Sequence, residues 1–389
     1  MNLLIISDAP ILIQGDKKVA YAPYVKEMDL WMHHVDSTTF ISPDCFNGHI
    51  LFQEFKNQDF KQIGLRRLEF HTLWSALISM FTVPYQFFVL CFAFAKADHI
   101  HLRCPGNLAL LASMVQVFFP TKKKTVKYAG NFDPNATQPM AYRWQKRILS
   151  NTFLTKNIDV LVYGEWPQQT INIKPFFTAT YSENDRGNFT KDFKELYQFI
   201  FVGTLSQNKN PQLLVELIKQ LNKEGVAAQA HFYGDGPMME ELKIMTDSHS
   251  TPCYFYGNQS SEVLKVAYEK AHFCFLASKS EGWPKAVAES MWYGCIPIAT
   301  PVSCVPWMLG IKEKLGEEND QVDFTNGLDL KSIGSRGLIY TDKDQTILNL
   351  KSLLRNPAVI KMMSQNAKDW SQDYTIEKFE REIIKLVQS

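Results

Sequence analysis

Two glutamates separated by seven residues are the pair in this sequence most suited to shared chemistry. Glu281 and Glu289 follow a hydrophobic run at 273–277, and Pro284 lies between them. Because proline fixes a backbone angle that suits the first helical turn, we predict a helix from Pro284, with Glu281 in the preceding loop and Glu289 inside the helix. The unpaired N–H groups and the dipole at a helix start attract phosphate. The pattern therefore predicts a cleft for a sugar diphosphate, although two surface acids flanking a helix would give the same letters.

A cation and several glycine turns follow other predicted strands in the same way. Gly203 and Thr204 come directly after an apolar run, and Lys209 lies a few residues further on. A glycine allows close approach of the backbone to a ligand, and a lysine neutralises diphosphate charge, although a solvated lysine is the simpler alternative. The carboxyl ends of parallel strands meet at one sheet edge, where open α/β sheets bind ligands. Two further turns expected at this edge contain Gly234 with Gly236, and Gly257 with Asn258.

The elements that must position these residues form a regular series in the second half of the chain. Strand-length apolar runs alternate there with amphipathic stretches, which predicts a parallel, doubly wound α/β sheet. Gly225 is suited to end the helix that starts near Pro211 in a left-handed conformation. Strands are predicted at 198–202, 228–233, 254–256, 272–277 and 296–299, with helices from 211, from 238, at 262–271 and at 284–293. The first half gives weaker strand signals at 3–7, 99–102, 125–129 and 160–163.

The length of the chain favours two domains, because 389 residues exceed one ordinary hydrophobic core. The polar stretch 181–196 lacks apolar periodicity and is the predicted linker. We therefore predict an N-terminal domain at 1–180, a C-terminal domain at 197–368, and a terminal helix at 369–389 that packs back on the first domain.

The overall composition excludes some classes of protein and partner. Lys and Arg total 41 against 40 Asp and Glu, so the net charge gives no reason to expect nucleic-acid binding. The seven cysteines show neither metal-binding spacing nor a disulfide framework, which favours a reducing compartment. The first residues, Met-Asn-Leu-Leu-Ile-Ile-Ser-Asp, lack a basic leader and are predicted to be a core strand, not a signal peptide. We therefore expect a cytoplasmic protein.

One apolar stretch and one basic stretch raise the question of a membrane. Residues 73–95 contain no charge and are long enough to span a bilayer, but their polar residues favour a buried helix, with a membrane-dipping helix as the alternative. Residues 121–147 contain seven Lys and Arg against the single acid Asp133. This segment is predicted to be either a solvated surface or a basic face that contacts anionic lipid or a phosphorylated acceptor.

The ordered set of motifs from about 198 to 310 resembles the family 4 retaining glycosyltransferases of the GT-B architecture, which build bacterial surface and other glycans. The resemblance implies two Rossmann-like doubly wound domains facing a cleft, an N-terminal acceptor-binding domain at 1–180 and a C-terminal nucleotide-sugar-binding domain at 197–368. It also implies that Glu289 holds the ribose of a nucleotide-sugar donor, that Glu281 contacts the donor sugar, and that Lys209 holds the diphosphate. The remaining predicted donor contacts are the backbone of Gly282, Trp283, Pro284, Lys285 and Ala286, with Gly203, Thr204, Gly234, Gly236 and Asn258 in the neighbouring turns.

The sequence departs from the family at two places. Thr204 stands where the family usually has an arginine, and we expect Lys285 to replace that diphosphate cation. The family's histidine near the acceptor pocket is missing at Asn131, so His101 is the catalytic candidate and Arg103 and Asn131 are acceptor candidates, with a buried structural histidine as the alternative.

A further candidate implied by the resemblance is Gly15, at the place of the family's glycine loop near the donor phosphates; an ordinary loop glycine is the alternative.

The resemblance implies a hexosyltransferase that moves a sugar from a nucleotide-diphosphate sugar to a glycan or lipid-linked acceptor with retention of configuration. The expected catalytic residues are Glu281, Lys209, Lys285 and His101, without a metal or a cofactor. The alternatives are a nucleotide-sugar epimerase or hydrolase on the same fold and a non-catalytic glycan-binding protein. No nucleic-acid partner is expected, and the protein is expected in the cytoplasm or peripherally at the inner face of the membrane.

Overall fold

The computed structural model describes residues 1–46, 51–166, 169–194, 196–247, 251–311 and 330–388. The chain divides into two compact units: unit 1 contains Met1–Phe177 and Glu377–Ser389, and unit 2 contains Thr178–Ile376. The division lies just before the predicted linker. Within unit 2, Tyr181 of that segment packs on Trp292 with ring centroids 5.0 Å apart, and Lys191 donates to the carbonyls of Tyr268 and Glu269 at 2.6 Å.

Unit 1 is built on a parallel sheet of short strands with buried apolar residues. Its strands are β1 (Asn2–Ser7), β4 (Ser37–Pro43), β6 (Lys61–Leu65), β7 (His99–Cys104), β8 (Lys123–Tyr128), β9 (Ile158–Tyr163) and β10 (Ile173–Phe176). The strand order is β10-β9-β8-β7-β1-β4-β6, and β1 is buried along most of its length. The helices of this part of the chain are α1 (Ala22–Met32), α2 (Leu73–Lys96), α3 (Asn107–Val115) and α4 (Met140–Leu149).

A small antiparallel sheet in unit 1 has no counterpart in the sequence prediction. It consists of β2 (Leu12–Gln14), β3 (Lys17–Tyr21) and β5 (Phe52–Glu54), in the order β2-β3-β5. Gly15 lies in the hairpin between β2 and β3 with φ of +62°, a conformation that suits glycine in tight hairpins.

The prediction that residues 73–95 form a buried helix is wrong. Helix α2 spans Leu73–Lys96, but only 28% of its most apolar 18-residue window is buried. Leu90, Ala93 and Phe94 pack into the core of unit 1, whereas Leu73 and Phe81 are 88% and 83% exposed. By length and composition α2 is a helix that could cross a membrane.

The prediction of one basic face over 121–147 is also wrong for two of its lysines. Lys124 is buried in β8 and donates to the carbonyls of Phe119 at 2.7 Å and Lys122 at 3.0 Å, and burial lowers its pKa to about 8. Lys127 is buried and pairs with Glu27 at 3.0 Å. The two side chains lie on opposite faces of β8, because they are three residues apart in a strand, and both are buried since β8 is covered on both faces.

Unit 2 contains the second parallel sheet. Its strands are β11 (Tyr197–Val202), β12 (Ala228–Tyr233), β13 (Cys253–Phe255), β14 (Phe273–Leu276), β15 (Ile296–Ala299) and β16 (Leu338–Ile339), in the order β13-β12-β11-β14-β15-β16. Its helices are α5 (Gln212–Lys223), α6 (Met239–Asp247), α7 (Ser261–Lys270), α8 (Lys285–Trp292), α9 (Val305–Leu309), α10 (Lys343–Leu354) and α11 (Pro357–Gln372). The predicted strands and helices of this half therefore recur with shifts of one or two residues at their ends.

Helix α5 shows why the apolar spacing is informative. Leu214, Leu217, Ile218 and Leu221 are buried on one face, and Gly225 follows with φ of +80°, which confirms the predicted left-handed end. Since the helix is amphipathic, its apolar face fixes how it packs on the sheet.

The chain ends in two helices, where one is predicted from sequence. Helix α11 belongs to unit 2, and α12 (Ile376–Gln388) contributes to unit 1. In unit 1, Phe379 of α12 packs on Phe176 and Phe177, and Glu380 meets His34 at 2.7 Å.

Candidate functional site

The site lies at the carboxyl edge of the sheet in unit 2, where the loops after neighbouring strands come together. Strand β11 pairs in parallel with β14, and β14 with β15, so their following loops leave the same edge. The loop after β11 contains Gly203, Thr204 and Lys209, and the loop after β14 contains Glu281. The parallel arrangement explains why residues more than 70 positions apart in sequence can share one site.

Three hydrogen bonds hold the loop after β14 against the loop after β11. Asn208 accepts from the backbone N–H of Lys279 at 2.8 Å and donates through its side chain to the carbonyl of Ser280 at 3.3 Å. Asn210 donates to the carbonyl of Ala277 at 2.8 Å. These contacts fix the backbone on the N-terminal side of Glu281.

The loop after β14, which contains Glu281 and is called the glutamate loop below, is also bonded to the loop after β15. Ser303 donates to the carbonyl of Gly282 at 2.8 Å, and Thr300 donates to the carbonyl of Ser278 at 2.6 Å. Glu281 is therefore presented from a backbone that is tied to the loops of both neighbouring strands.

Lys209 and Glu281 form a direct ion pair. The Lys209 ammonium donates to Oε1 of Glu281, and their side chains are 24% and 10% exposed. Both predicted residues are thus brought together, and the partial burial makes the pair stronger than one on an open surface. A carboxylate has further acceptor positions, so Glu281 can accept from a sugar hydroxyl while it remains beside the lysine.

The glycine turns next to this pair pack backbone against backbone. Gly203 and Gly234 have φ of +148° and +137°, and a Cβ built on Gly234 would lie 2.0 Å from the carbonyl oxygen of Gly203. A Cβ on Gly236 would lie 2.5 Å from the carbonyl oxygen of Leu205. The N–H of Gly234 donates to the carbonyl of Gly257 at 2.8 Å. The predicted turns after β11, β12 and β13 therefore touch one another, and glycine is needed for the closest approach.

Glu289 lies within α8, as predicted, and accepts from two hydroxyls. Thr180 donates to its Oε1 at 3.0 Å, and Tyr268 donates to its Oε2 at 3.4 Å. Burial, with the nearby Glu289 carboxylate, raises the pKa of Tyr268, so this phenol stays protonated and available as a donor. A ligand hydroxyl at Glu289 would join or replace these partners.

Trp283 fastens the glutamate loop to the interior of unit 2. It is 9% exposed and stacks on Trp370 of α11 with ring centroids 6.3 Å apart. Trp307 and Tyr374 lie at 6.3 and 6.2 Å from it, and the Arg336 guanidinium lies 5.3 Å from the Trp370 ring centre. The side chain of Trp283 therefore anchors the backbone of this loop, and the donor contact predicted for that backbone stays a prediction.

The other predicted donor contacts lie around the same edge. Pro284 is the N-cap of α8 and Lys285 is its first residue. The side chains of Lys285, Thr204 and Asn258 are exposed, and that of Ala286 is half-buried. Lys285 thus lies at the start of α8, where a cation could bind the donor phosphates. Its predicted role in donor binding stays a prediction.

Two predicted residues of unit 1 contact partners in the protein interior: His101 is buried, and the side chain of Arg103 is 13% exposed. His101 is fully buried, meets Thr125 Oγ1 at 2.8 Å and stacks on Trp31 at 4.0 Å. Burial, with the charges of Arg103, His99 and Lys127, lowers its pKa well below the usual value. His101 therefore fits the alternative of a structural histidine, and its assignment as a catalytic residue is corrected.

Arg103 also serves the interior of unit 1. It donates to Glu27, which in turn pairs with Lys127 at 3.0 Å. Burial alone would raise the pKa of Glu27, but Arg103 and Lys127 hold it below its usual value. The cation predicted to bind an acceptor is thus engaged in a buried ion cluster.

The last two candidates lie in turns of unit 1. Asn131 is half-buried and accepts from the backbone N–H of Asp133 at 2.8 Å through its side chain. Gly15 occupies the exposed hairpin between β2 and β3, and a Cβ there would meet no atom within 4 Å. The flexible phosphate loop predicted at Gly15 is therefore a hairpin turn.

The residues missed by the sequence prediction are those that position others. Asn208, Asn210 and Ser303 fix the glutamate loop, and Thr180 and Tyr268 bond Glu289. The two asparagines flanking Lys209 in a loop after a strand were the available signal. No sequence signal points to Tyr268, because its hydroxyl contacts Glu289 only when α7 and α8 pack together. Among the residues that the structure describes, no group of three or more His, Cys, Asp and Glu could hold a metal ion.

Comparison with known proteins finds similarity over the part of the chain that contains this site. Residues 183–330 match the model described as Glycosyl transferases group 1. A curated relative from Campylobacter jejuni subsp. jejuni serotype O:2 is 26% identical over 208 residues, which are 52% of this chain and 51% of the relative. It is named GalNAc-alpha-(1->4)-GalNAc-alpha-(1->3)-diNAcBac-PP-undecaprenol alpha-1,4-N-acetyl-D-galactosaminyltransferase. The match thus spans about half the length of that protein.

Solved structures match the whole chain in fold. The lipopolysaccharide outer core galactosyltransferase WaaB has a TM-score of 0.68 at 14% identity, covering 100% of this chain and 99% of that one. HepE of Anabaena, solved with UDP, has a TM-score of 0.64 at 11% identity, covering 100% of both chains. Sucrose-phosphate synthase of Thermosynechococcus elongatus has a TM-score of 0.61 at 16% identity, covering 100% of this chain and 98% of that one. Residues 183–330 thus match the glycosyl transferases group 1 model within unit 2, and the chain shares the GT-B fold of two Rossmann-like units with these structures.

Proposed function

We propose that this chain is a hexosyltransferase that moves a sugar from a nucleotide-diphosphate sugar to a glycan or lipid-linked acceptor with retention of configuration. The observation that carries the proposal is the Lys209–Glu281 pair at the carboxyl edge of the family-matched domain, next to the touching glycine turns. The relative's name, which describes transfer of N-acetylgalactosamine to a glycan on undecaprenyl diphosphate, supports an acceptor of the lipid-linked class.

The donor diphosphate would lie beside Lys209 and the start of α8. The Lys209 ammonium, with Lys285 as a second cation, would balance the phosphate charge, and the N–H groups of the first turn of α8 would add to it. The partly buried setting strengthens these interactions relative to water. Glu289 would hold the ribose through a carboxylate that already accepts from two hydroxyls.

The transfer step would consist of one bond exchange at the anomeric carbon. The acceptor hydroxyl oxygen forms a bond to that carbon as the bond to the diphosphate oxygen breaks, and the hydroxyl proton leaves with the departing phosphate or solvent. Because negative charge grows on the diphosphate, Lys209 and Lys285 would stabilise the transition state more than the ground state. Glu281 would orient the sugar ring through its hydroxyls. The proposed step uses no metal, cofactor or covalent enzyme intermediate.

A panel of nucleotide sugars measured by thermal shift tests the donor part of this proposal. A ligand at about 100 times its Kd stabilises the folded state by about 2.7 kcal/mol, which raises Tm by roughly 5 °C or more for a domain of this size. The panel should include nucleotide-linked galactose, glucose and their N-acetylated forms. We expect at least one of them, and the matching nucleoside diphosphate, to raise Tm in wild type but not in Lys209→Met. A panel without any shift would contradict the proposal.

A further inference from the structure

The outer face of α2 presents a continuous apolar stripe to solvent. Trp74, Leu77, Phe81, Tyr85 and Phe88 follow one another at intervals of three or four residues, which places them on one side of the helix. Trp74 and Phe88 are 73% and 71% exposed. A helix of this length is about 36 Å long, so the stripe is far larger than the scattered apolar residues of an ordinary surface.

The inner face of the same helix contains polar side chains at Ser79 and Gln86. Ser79 is buried and exchanges hydrogen bonds of 2.9 Å with the backbone of Glu69. Gln86 is buried and donates to the carbonyl of Arg66 at 2.8 Å. This distribution is opposite to that of a water-facing helix, whose polar face is the outer one. Water is therefore not the medium that the outer face fits.

The apolar surface continues beyond α2. Phe87 contacts Phe118, which follows α3 and is 68% exposed, with ring centroids 6.1 Å apart. Helix α3 packs between α2 and α4, and α4 exposes Met140 and Trp144. The outer surface of this helical layer is thus apolar and aromatic over several elements.

The charges near this surface are almost all positive. Residues 73–158 contain ten Lys and Arg against two acids, Asp98 and Asp133. Three of the ten, Arg103, Lys124 and Lys127, are engaged in the interior of unit 1, which leaves seven cations for the surface. At the end of α2, the Lys96 ammonium lies 4.0 Å from the centre of the Phe92 ring, with its stem along apolar surface. Arg143 and Arg147 lie on α4, within the same basic stretch. Cations beside an aromatic stripe complement the anionic headgroups above an acyl layer.

We infer that the outer face of α2 inserts into the boundary between headgroups and acyl chains of an anionic bilayer, so that unit 1 lies on a membrane surface. The helix does not span, because Leu90, Ala93 and Phe94 on its other face pack into the protein core and cannot also face lipid. The inference goes beyond the proposed function. It identifies α2, and not the basic segment 121–147 alone, as the surface that meets lipid.

Flotation of the full chain with vesicles tests this inference without donor or acceptor, so its failure would leave the proposed transfer reaction untouched. The vesicles are pure phosphatidylcholine, or phosphatidylcholine with roughly one-third phosphatidylglycerol, in about 0.1 M salt. We expect wild type to float with the anionic vesicles. The triple variant Leu77→Gln/Phe81→Gln/Phe88→Gln should bind at least about tenfold more weakly.

Two controls separate lipid insertion from general effects. The double variant Ile244→Gln/Met362→Gln removes exposed apolar side chains of unit 2 and should float like wild type. The double variant Arg143→Gln/Arg147→Gln should weaken binding only to the vesicles that contain phosphatidylglycerol. Circular dichroism and Tm of the triple variant should match wild type, because the three replaced side chains are exposed.

Four results would overturn the inference. The first two are a wild type that stays unbound with both vesicle types and a triple variant that floats as well as wild type. Wild type that resists extraction by alkaline carbonate would indicate a spanning helix. A wild-type dimer in solution that the triple variant converts to a monomer would show that a second copy covers the face.

Discussion

At the scale of single residues, Lys209 contacts one group in the structure and is proposed to bind a second in the donor complex. In the structure its ammonium donates to Glu281, and in the proposed complex it also meets the donor diphosphate. Lys209→Met should lower kcat/KM about 10²- to 10³-fold, because one charge on the leaving group is lost. Steady-state kinetics with saturating acceptor measure this. Lys219→Met, at an exposed lysine of α5 in the same unit, is the matched control and should leave kcat/KM unchanged.

Lys285 is the second residue whose charge would support the proposed transfer. Lys285→Met should raise the donor KM and reduce turnover by about tenfold or more, since Thr204 leaves one diphosphate cation missing. Lys285→Arg should retain much of the activity, because the charge is kept. Unchanged kinetics in Lys285→Met would remove this residue from the site.

The buried ion pairs of Glu27 lead to a prediction about the free energy of unfolding of unit 1. Its carboxylate pairs with Arg103 and Lys127, so Glu27→Gln leaves buried cations without their partner and should reduce the free energy of unfolding by about 3–5 kcal/mol at pH 7. The folded pKa of Glu27 lies below its usual value of 4.5. Its contribution is therefore complete above about pH 4.5 and is lost as the pH falls through the lowered folded pKa.

Calorimetry of the full chain across this pH range checks the prediction through the transition of unit 1. The difference in Tm between wild type and Glu27→Gln should shrink as the solution becomes more acidic. Glu54→Gln removes an exposed partner of Lys17 and should cost no more than about 1 kcal/mol. Equal losses for Glu27→Gln and Glu54→Gln would contradict the buried cluster.

Single residues are predictable from sequence where a motif fixes the backbone around them. The spacing of Glu281 and Glu289 around Pro284 predicts their loop and helix positions correctly. The predictions for His101 and Arg103 are wrong because sequence alone does not show that their side chains in strand β7 point to partners in the interior of unit 1. The contact of His101 with Thr125, for example, depends on β7 and β8 lying side by side.

At the scale of elements, the turns after β11 and β12 depend on glycine. A Cβ at Gly234 would collide with the carbonyl of Gly203, so Gly234→Ala must move one of the two turns. We expect it to destabilise unit 2 by about 1–3 kcal/mol beyond the cost of the positive φ alone, and to weaken donor binding. Gly225→Ala is the matched control, since Gly225 also has positive φ but a Cβ there would meet no atom within 4 Å. It should cost about 1–2 kcal/mol and leave donor binding unchanged.

The elements of unit 2 are predictable because each helix has one apolar face and each buried strand is short and apolar. The elements of unit 1 are less predictable from sequence. The strands β2, β3 and β5 are only three to five residues long, and the glycine at Gly15 fits a loop as well as a hairpin. The prediction of a buried α2 is wrong because apolar length does not distinguish burial in protein from exposure to lipid.

At the scale of the whole molecule, the architecture of two Rossmann-like units is predictable from the order of motifs in unit 2. The division of the chain is less predictable. Residues 181–194 have a polar composition but include Tyr181 and Lys191, which pack inside unit 2. Composition reflects the polar surface of this segment and not the few residues that anchor it.

The central claim is that the chain transfers a sugar with retention, using the Lys209–Glu281 site. The most direct measurement is incubation of wild type with the binding donor and a lipid-linked glycan acceptor, followed by mass spectrometry and NMR of the product. We expect an acceptor heavier by one sugar residue, with the anomeric configuration of the donor, and almost no product from Lys209→Met. An inverted product, donor hydrolysis without transfer, or full activity in Lys209→Met would contradict the claim.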